Sequence, residues 1–277
     1  MSTLYLIATP IGNLEDISAR ALRVLGEAAL IAAEDTRVTR RLLSHFAIAT
    51  PLTTYTDAYQ RQKAGRQGRV LEALAAGQDV ALVSDAGMPG LSDPGYELVQ
   101  AALAAGHTVQ ALPGPSAITT ALAASGLPTD RFLFVGFLPR RGGERRSLLA
   151  GLADEPGTWI AFEAPHRLLG ALQDLLAVQG DRTVAVAREL TKRFEEIWRG
   201  SASQALAHFT ANPPRGEITL VVAGTGRARD QERWPEAKVR EAIGLLTEEG
   251  MAPSSAARVL ARLSGWPRAE VYDLIVA

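Results

Sequence analysis

The sequence predicts an α/β fold made of two α/β domains and a small helical extension. In the first half, short apolar runs rich in β-branched residues alternate with helical patterns, which is typical of a parallel sheet covered by helices on both faces. In the second half, some strand-like runs follow one another too closely for a crossover helix, so a mixed sheet with antiparallel pairs is expected there. Residues 233–277 show only helical patterns.

The first predicted domain, residues 1–115, alternates strands and helices. Its strands are expected at Leu4–Ala8, Ala29–Ala33, Asp79–Ser84 and Thr108–Leu112. Its helices are expected at Ser18–Glu27, Thr36–Phe46, Gln60–Ala76 and Gly95–Ala105. The side chain of Thr36 is of a type that caps helices, and it is expected to start the second of them.

The second predicted domain, residues 116–226, begins with a helix over Ser116–Ala124. Its strands are expected at Phe132–Phe137, Thr158–Glu163, Thr183–Arg188, Glu196–Arg199 and Ile218–Ala223. Its other helices are expected at Arg145–Ala153, His166–Val178 and Ser201–Phe209. The polar stretch Thr225–Glu232 separates it from the helical extension, residues 233–277, whose helices are expected at Pro235–Glu249, Ser254–Leu263 and Pro267–Ile275.

Composition excludes several classes of protein. The 277 residues are 47% hydrophobic with a net charge of −1, whereas disordered chains combine low hydrophobicity with high net charge. The absence of cysteine excludes disulfide frameworks, thiolate nucleophiles and cysteine-ligated metals. The four histidines lack ligand-like spacing, so no metal site is expected. We recognise neither a signal peptide nor an unbroken apolar span, and a soluble cytoplasmic protein is expected.

Loops rich in glycine and proline follow predicted strands at residues 9–13, 84–90, 113–117 and 163–167. Glycine permits close approach of the backbone, and proline restricts it, so these loops are expected to be rigid and to expose backbone polar groups. Open α/β sheets bind ligands at the carboxyl ends of their strands. Any one such loop is more often a plain turn, but together they predict a binding site.

Taken together and in order, several segments resemble one known family. They are Leu4–Asn13, Ala33–Arg37, Ser84–Gly95, Pro113–Ala117, Phe162–Arg167 and Arg188–Lys192. Over residues 4–224 the chain is similar to the tetrapyrrole (corrin/porphyrin) methylase superfamily, and within it to the subfamily that methylates small-subunit ribosomal RNA. The resemblance implies a ribose 2′-O-methyltransferase for a cytidine of 16S rRNA. It also implies a homodimer, the small ribosomal subunit as partner, and S-adenosylmethionine in a trough between the domains.

The same resemblance implies a set of cofactor-binding residues. They are Ile11, Asp85, Met88, Ser116, Ala117, Phe162, Ala187 and Thr219. Asp85 stands where the family has a Gly-Asp-Pro loop, although here the order is Ser-Asp-Ala-Gly and the proline is absent. A cationic sulfonium with an amino-acid tail suits one carboxylate, backbone polar groups and apolar walls. Alternatively, Asp85 caps a turn.

Methyl transfer to a hydroxyl requires alignment of the attacking oxygen, exclusion of water and removal of one proton. Lys192 is the first candidate for this catalytic role, as a base or as a cation that stabilises the developing oxyanion. Glu163 is the second candidate, and His166 lies on the same loop. An alternative role for Glu163 is an ion pair with Arg167 that braces the trough between the domains.

Arginines are the predicted RNA contacts. They are Arg37, Arg140, Arg141, Arg145, Arg146 and Arg167. Positions 140–146 enclose the flexible pair Gly142-Gly143, and basic loops engage phosphates. A second basic run, Arg61, Lys63, Arg66 and Arg69, is also typical of a solvated helix face. The extension adds Arg258, Arg262 and Arg268, and it either binds RNA or braces a dimer.

Two other functions remain open from the sequence. The first keeps the fold and the cofactor but has a tetrapyrrole, a precorrin or porphyrin, as the methyl acceptor. That function would require a wide apolar trough, and it leaves the arginine-rich loops without a role. The second is a non-catalytic RNA-binding protein that uses the helical extension.

Overall fold

The computed structural model describes residues 2–56, 60–226, 234–248 and 250–276, and it leaves the side chains of residues 60–67 and 262 undescribed. The chain forms two compact units. The first comprises Met1–Leu152 and Thr158–Ala223, and the second comprises Ala153–Gly157 and Gly224–Ala277. Both sheets belong to the first unit, so the predicted boundary near residue 115 lies within it.

The first sheet is parallel, as predicted. Its strands are β1 (Thr3–Ile7), β2 (Leu30–Ala33), β3 (Leu52–Thr54), β4 (Val80–Val83) and β5 (Thr108–Leu112), in the order β3-β2-β4-β1-β5. The helices among them are α1 (Ala19–Glu27), α2 (Thr36–His45), α3 (Gln60–Ala75) and α4 (Tyr96–Ala104). The edge strand β3 was not predicted, because three residues with one buried position give no readable period.

Helices cover both faces of this sheet because the side chains of each strand alternate. Along β1, Leu4 packs in one hydrophobic cluster and Ile7 in another. Strands β2 and β4 are buried at every position, as expected for central strands of such a sheet. Asp35, and not Thr36, caps α2: its side chain accepts a hydrogen bond from the backbone N–H of Arg37 at 2.8 Å.

The second sheet is mixed, which confirms the prediction made from short connections. Its strands are β6 (Phe132–Phe137), β7 (Thr158–Glu163), β8 (Thr183–Arg188), β9 (Glu196–Ser201) and β10 (Ile218–Val222), in the order β6-β7-β10-β8-β9. Only β6 and β7 pair in parallel, and the other neighbours are antiparallel. Its helices are α5 (Ala117–Ser125), α6 (Gly142–Gly151), α7 (Leu168–Gln179) and α8 (Ala202–Ala211).

Each face of this second sheet carries its own core. Helix α5 packs on one face, where Leu122 joins a cluster with Ile160 and Ala185. Helices α7 and α8 pack on the other face, around Trp159 and Phe209. Because β10 runs antiparallel to β7, the start of β10 and the end of β7 lie at the same edge of the sheet.

The second unit contains the three helices expected in the extension: α9 (Glu236–Glu248), α10 (Pro253–Ser264) and α11 (Arg268–Val276). They share a small core of Val239, Ala257, Leu260 and Val271. The predicted fold class is thus confirmed, although several predicted ends differ by one to three residues. Helix α6 starts at Gly142, so the glycine pair Gly142-Gly143, which was expected in a flexible loop, lies in its first turn. Within the described ranges, every helix is too short or too polar to span a bilayer.

Candidate functional site

A cavity of about 410 Å³ lies in the first unit, where the loops that follow β1, β4 and β5 face the shared edge of β7 and β10. Its volume falls in the range of pockets that take small-molecule ligands. Of the eight predicted cofactor contacts, those that line it are Ile11, Asp85, Met88, Ser116, Ala117, Phe162 and Thr219. Ala187 does not line it, because its side chain is buried in the core beneath α5 and only its backbone pairs with Thr219.

Hydrogen bonds hold the β1 and β4 loops against each other. The backbones of Thr9 and Gly87 exchange two bonds, at 2.9 and 3.0 Å, because parallel strands end at the same edge of the sheet. Ser84 Oγ donates to the Gly87 carbonyl at 3.1 Å, and Thr9 Oγ1 donates to the Ser84 carbonyl at 3.0 Å. The loop therefore keeps a fixed path although it lacks the family's proline after Asp85.

Among the described residues that line the cavity, the charged ones are all acidic. They are Glu34, Asp85, Asp93, Glu163 and Glu217. Burial and the nearby charge of Glu34 raise the pKa of Asp93 to about 6, with Asp85 contributing. Burial also raises the pKa of Glu34 and that of Asp85. Glu163 and Glu217 are paired with Arg167 and Lys192, but the crowded carboxylates of Glu34, Asp85 and Asp93 favour a positively charged ligand.

Sequence reasoning did not select Glu34, Asp93 or Glu217 as binding residues. Glu34 and Asp93 lie inside segments that had been matched to the family, but nothing in those segments shows which side chains point into the cavity. Glu217 directly precedes β10, and only the pairing of β10 with β7 brings it to this edge. All three residues lie close to strand ends that meet at the cavity. To predict this from the sequence, the order of the strands in each sheet would have to be known.

Glu163 is buried at the end of β7 and lines the cavity. Its Oε1 accepts a hydrogen bond from Ala164 N at 2.7 Å and forms an ion pair with Arg167 Nη2 at 2.5 Å. Its Oε2 is buried and bonds to no residue in the part of the chain that the structure describes. Burial raises the pKa of Glu163, and its contacts with Ala164 and Arg167 only partly oppose that effect.

Lys192 is not among the residues that line the cavity, but it bonds to one that does. Its Nζ lies 3.0 Å from Glu217 Oε2 and 2.9 Å from Glu189 Oε1. Burial opposes the charge of Lys192, but the bonds to Glu189 and Glu217 outweigh burial and raise its pKa. The side chain is therefore an ammonium, which disfavours the role of base and leaves that of a cation.

The turn that carries Lys192 has a strained backbone. Glu189 and Thr191 have φ angles of 50° and 65°, and a β-branched residue such as Thr191 rarely adopts that region. Thr191 Oγ1 is buried and bonds to no described residue. Gly12 packs beneath the turn, since a Cβ there would overlap Lys192 Cγ. Strain of this kind collects at functional sites.

The remaining catalytic candidate, His166, is exposed and does not line the cavity. Its neighbour Arg167 has a side chain only 17% exposed and pairs with Glu163. The ion pair that was the alternative role for Glu163 is therefore present, although it occupies only one of the two carboxylate oxygens.

The predicted RNA-binding arginines divide into exposed and buried side chains. Arg140, Arg141 and Arg146 are exposed, and so is Arg37, which pairs with Asp35 at 2.6 Å. The structure corrects the prediction that Arg145 contacts RNA. Its side chain is 11% exposed and its Nη2 lies 2.6 Å from Asp174 Oδ2. It joins α6 to α7 and is not available to a ligand.

Other basic residues were named from the sequence within residues 61–69 and 258–268. Arg61, Lys63, Arg66 and Arg262 have side chains outside the described part of the structure. Arg69, Arg258 and Arg268 are exposed.

The chain matches a model of the family described as Tetrapyrrole (Corrin/Porphyrin) Methylases over residues 3–206. Among curated proteins, it is 48% identical to the ribosomal RNA small subunit methyltransferase I of Synechocystis sp., an alignment that covers 99% of this chain and 97% of that protein. It is 44% identical to the protein of the same name from Halalkalibacterium halodurans, over 98% of this chain and 94% of that protein.

Solved structures show the same fold at lower identity. A cobalamin biosynthetic enzyme, cobalt precorrin-4 methyltransferase, superposes with a TM-score of 0.60 at 19% identity and covers 80% of this chain and 94% of its own. The uroporphyrin-III-C-methyltransferase from Thermus thermophilus superposes with a TM-score of 0.55 at 22% identity, over 80% and 94% of the two chains.

Proposed function

Since this chain belongs to the tetrapyrrole (corrin/porphyrin) methylase family, we propose that it transfers a methyl group to small-subunit ribosomal RNA. The proposed acceptor is the ribose 2′-hydroxyl of a cytidine in 16S rRNA. Curated relatives that align over nearly their whole length and share the name ribosomal RNA small subunit methyltransferase I support the RNA substrate. The methyl donor is S-adenosylmethionine, as in the family.

The acidic cavity is the observation that carries the proposal. S-adenosylmethionine supplies a methyl carbon bound to a cationic sulfonium, and its amino-acid tail carries an ammonium and a carboxylate whose charges cancel, so the donor has a net positive charge. Asp85 and Asp93 offer carboxylates to its positive charges, and Ile11, Met88 and Phe162 offer apolar wall. The cavity thus matches the donor in charge and in size.

Glu163 is the proposed proton acceptor. Its Oε2 is buried at the cavity wall without a bond to any described residue, and a raised pKa makes its carboxylate a stronger base than an ordinary one. The cavity also shields the reacting hydroxyl from water, which strengthens the interaction between that hydroxyl and the carboxylate. Glu163 thus replaces Lys192, which was the first candidate from the sequence, as the proposed base.

Lys192 has the complementary role of a cation near the reaction. Glu217 binds its Nζ and directly precedes Ile218, which pairs with Glu163 in the register of β10 and β7. The ammonium is therefore anchored at the same edge of the sheet as the proposed base. In that position it stabilises negative charge that develops on the attacking oxygen.

One assay separates the proposed acceptor from a tetrapyrrole acceptor. The purified protein is incubated with radiolabelled S-adenosylmethionine and small ribosomal subunits from a strain that lacks the relative of this chain, and in parallel with uroporphyrinogen or a precorrin. We expect label in 16S rRNA, and mass spectrometry of the digested RNA should identify 2′-O-methylcytidine. Label in the tetrapyrrole alone, or in neither acceptor, contradicts the proposal.

A further inference from the structure

An exposed aromatic side chain stands at the opening of the cavity. Phe137, the last residue of β6, is 58% exposed and also lines the cavity. Its ring centroid lies 5.3 Å from that of Phe162, which supports it from inside. A single exposed apolar side chain is ordinary, but one that also lines a ligand cavity is placed to contact a molecule that binds there.

A bulge in β6 directs Phe137 toward the cavity. Phe134 pairs with Ile160 and Phe137 pairs with Phe162, so three steps along β6 match two steps along β7. Side chains alternate along a regular strand, so without the bulge Phe137, three residues after Phe134, would face away from it. With it, both rings contact Phe162. Gly136 makes the bulge possible through a φ of +72°.

Two exposed arginines follow Phe137, after the buried Leu138 and the half-buried Pro139. Arg140 is exposed and forms no ion pair with any residue in the described ranges. The side chain of Arg141 is 85% exposed and pairs only with the exposed Glu144, at 3.1 Å. Guanidinium groups bind phosphates, and aromatic faces stack on unpaired bases, so this order of residues fits a single RNA strand.

We propose that Phe137 is a stacking platform for an unpaired base of the RNA, next to the nucleotide that is methylated. Arg140 and Arg141 hold the backbone of the same strand as it leaves the cavity. This inference rests on the proposed function, because it assumes an RNA acceptor. It assigns Phe137 to positioning the acceptor and not to binding the donor.

Strand β6 is also the outermost strand of its sheet. Phe132 and Leu133, at the start of this strand, are exposed. A second copy of the chain is the competing occupant of this edge. RNA is favoured at Phe137 because that side chain lines the cavity and is followed by two exposed arginines, of which Arg140 forms no ion pair with a described residue. Phe132 does neither, and it serves as the matched control.

The test compares F137L and F137W with F132L. Binding of a fluorescein-labelled single-stranded RNA oligonucleotide is measured by anisotropy, and binding of S-adenosylmethionine is measured by calorimetry. F137L should weaken RNA binding roughly tenfold, since stacking on one base is worth about 1–3 kcal/mol. F132L should bind RNA as the wild type does. F137W should retain binding, and its additional indole fluorescence should be quenched by RNA but not by the donor.

Four results would overturn the inference. RNA binding by F137L equal to that of F132L, or no RNA binding by the wild type, removes the platform. If F137L loses as much affinity for S-adenosylmethionine as for RNA, Phe137 belongs to the donor site. A change of oligomeric state in F137L, measured by sedimentation, assigns the face to a second copy. None of these measurements uses methyl transfer, so failure of the proposed function is read separately, from the labelling assay.

Discussion

Individual carboxylates determine how the cavity responds to pH. Asp93 is the clearest example, because its pKa is raised to about 6 by burial and by Glu34. A carboxyl with a raised pKa binds its proton more tightly in the folded chain than in the unfolded chain. Ionisation of Asp93 therefore costs folding stability as the pH rises through about 6, while it adds negative charge for a cationic donor.

Asp93→Asn should separate these two effects. At about pH 8 the variant should be more stable than the wild type, by on the order of 1 kcal/mol, and this gain should vanish below about pH 4, where the aspartate is protonated in both states. Its affinity for S-adenosylmethionine should fall severalfold at about pH 8. Thermal melting and calorimetry at both pH values check this, and a variant that melts lower at pH 8 contradicts it.

Glu163→Gln should affect turnover more than binding. The amide keeps an acceptor for Ala164 N but cannot take a proton, so turnover should fall roughly 10²–10⁴-fold. The dissociation constant of the donor should change less than about tenfold. The wild-type rate should rise with pH through the pKa of Glu163, which lies above its ordinary value of 4.5, and the variant should lose this limb.

Single-turnover rates across pH measure the effect of Glu163→Gln on turnover, and calorimetry measures its effect on donor binding. Glu27→Gln is the control, because Glu27 is exposed in α1 and pairs only with Arg23 in the part of the molecule that is described. Wild-type turnover in Glu163→Gln would remove Glu163 from the chemistry and leave it the structural role of holding Arg167.

At the scale of elements, the site depends on how one loop packs against another. Gly12 leaves the space that the turn Glu189–Lys192 occupies, so the β1 loop of the first sheet and the β8–β9 turn of the second position each other. A side chain at Gly12 would also lie 2.9 Å from Thr191 Oγ1 and 3.0 Å from the Leu190 carbonyl. The turn must then move, and Lys192 moves with it.

Gly12→Ala should therefore lower stability by about 1–3 kcal/mol and reduce turnover more than donor affinity. Gly26→Ala in α1 is the matched control, because a Cβ there meets nothing within 4 Å. That change should stabilise the protein by about 0.5–1 kcal/mol, as alanine does in helices. Urea unfolding and steady-state rates measure both variants. Equal turnover in the two alanine variants would show that the packing of Gly12 does not position Lys192.

Elements also explain what sequence could and could not predict. The strand–helix alternation and the loops at strand ends are local patterns; they predicted both sheets and part of the cavity wall, while the contacts of Phe162 and Thr219 were implied by the family resemblance. Arg145 was assigned to RNA because its neighbours are exposed arginines, but its partner Asp174 lies on a different helix. Phe137 was missed because a bulge is a matter of register between strands, which no single strand reveals.

At the scale of the whole molecule, the cavity and the helical extension occupy different parts of the chain. The residues that line the cavity run from Ile11 to Thr219, inside the first unit. The core of the extension consists of its own residues, among them Val239 and Leu260. The described residues that line the cavity thus all belong to the first unit.

Truncation after Gly226 should leave the affinity for S-adenosylmethionine within about twofold of the full chain, because the hydrophobic clusters of both sheets remain intact. Calorimetry on the two proteins measures this. Binding of small ribosomal subunits, measured alongside, reports whether Arg258 and Arg268 contribute to the acceptor. A truncated chain that is folded by circular dichroism but cannot bind the donor would contradict the assignment of the cavity.

The negative charge around the cavity also affects release of the by-product at the end of each catalytic cycle. Once the methyl group has left, the sulfonium has become a neutral thioether, and the by-product has lost one positive charge. Glu34, Asp85 and Asp93, the lining carboxylates that are not paired with Arg167 or Lys192, attract the cationic donor and attract the neutral by-product less. Product release should accordingly be favoured by electrostatics alone, and inhibition by S-adenosylhomocysteine should be weaker than competition by a cationic analogue of similar shape.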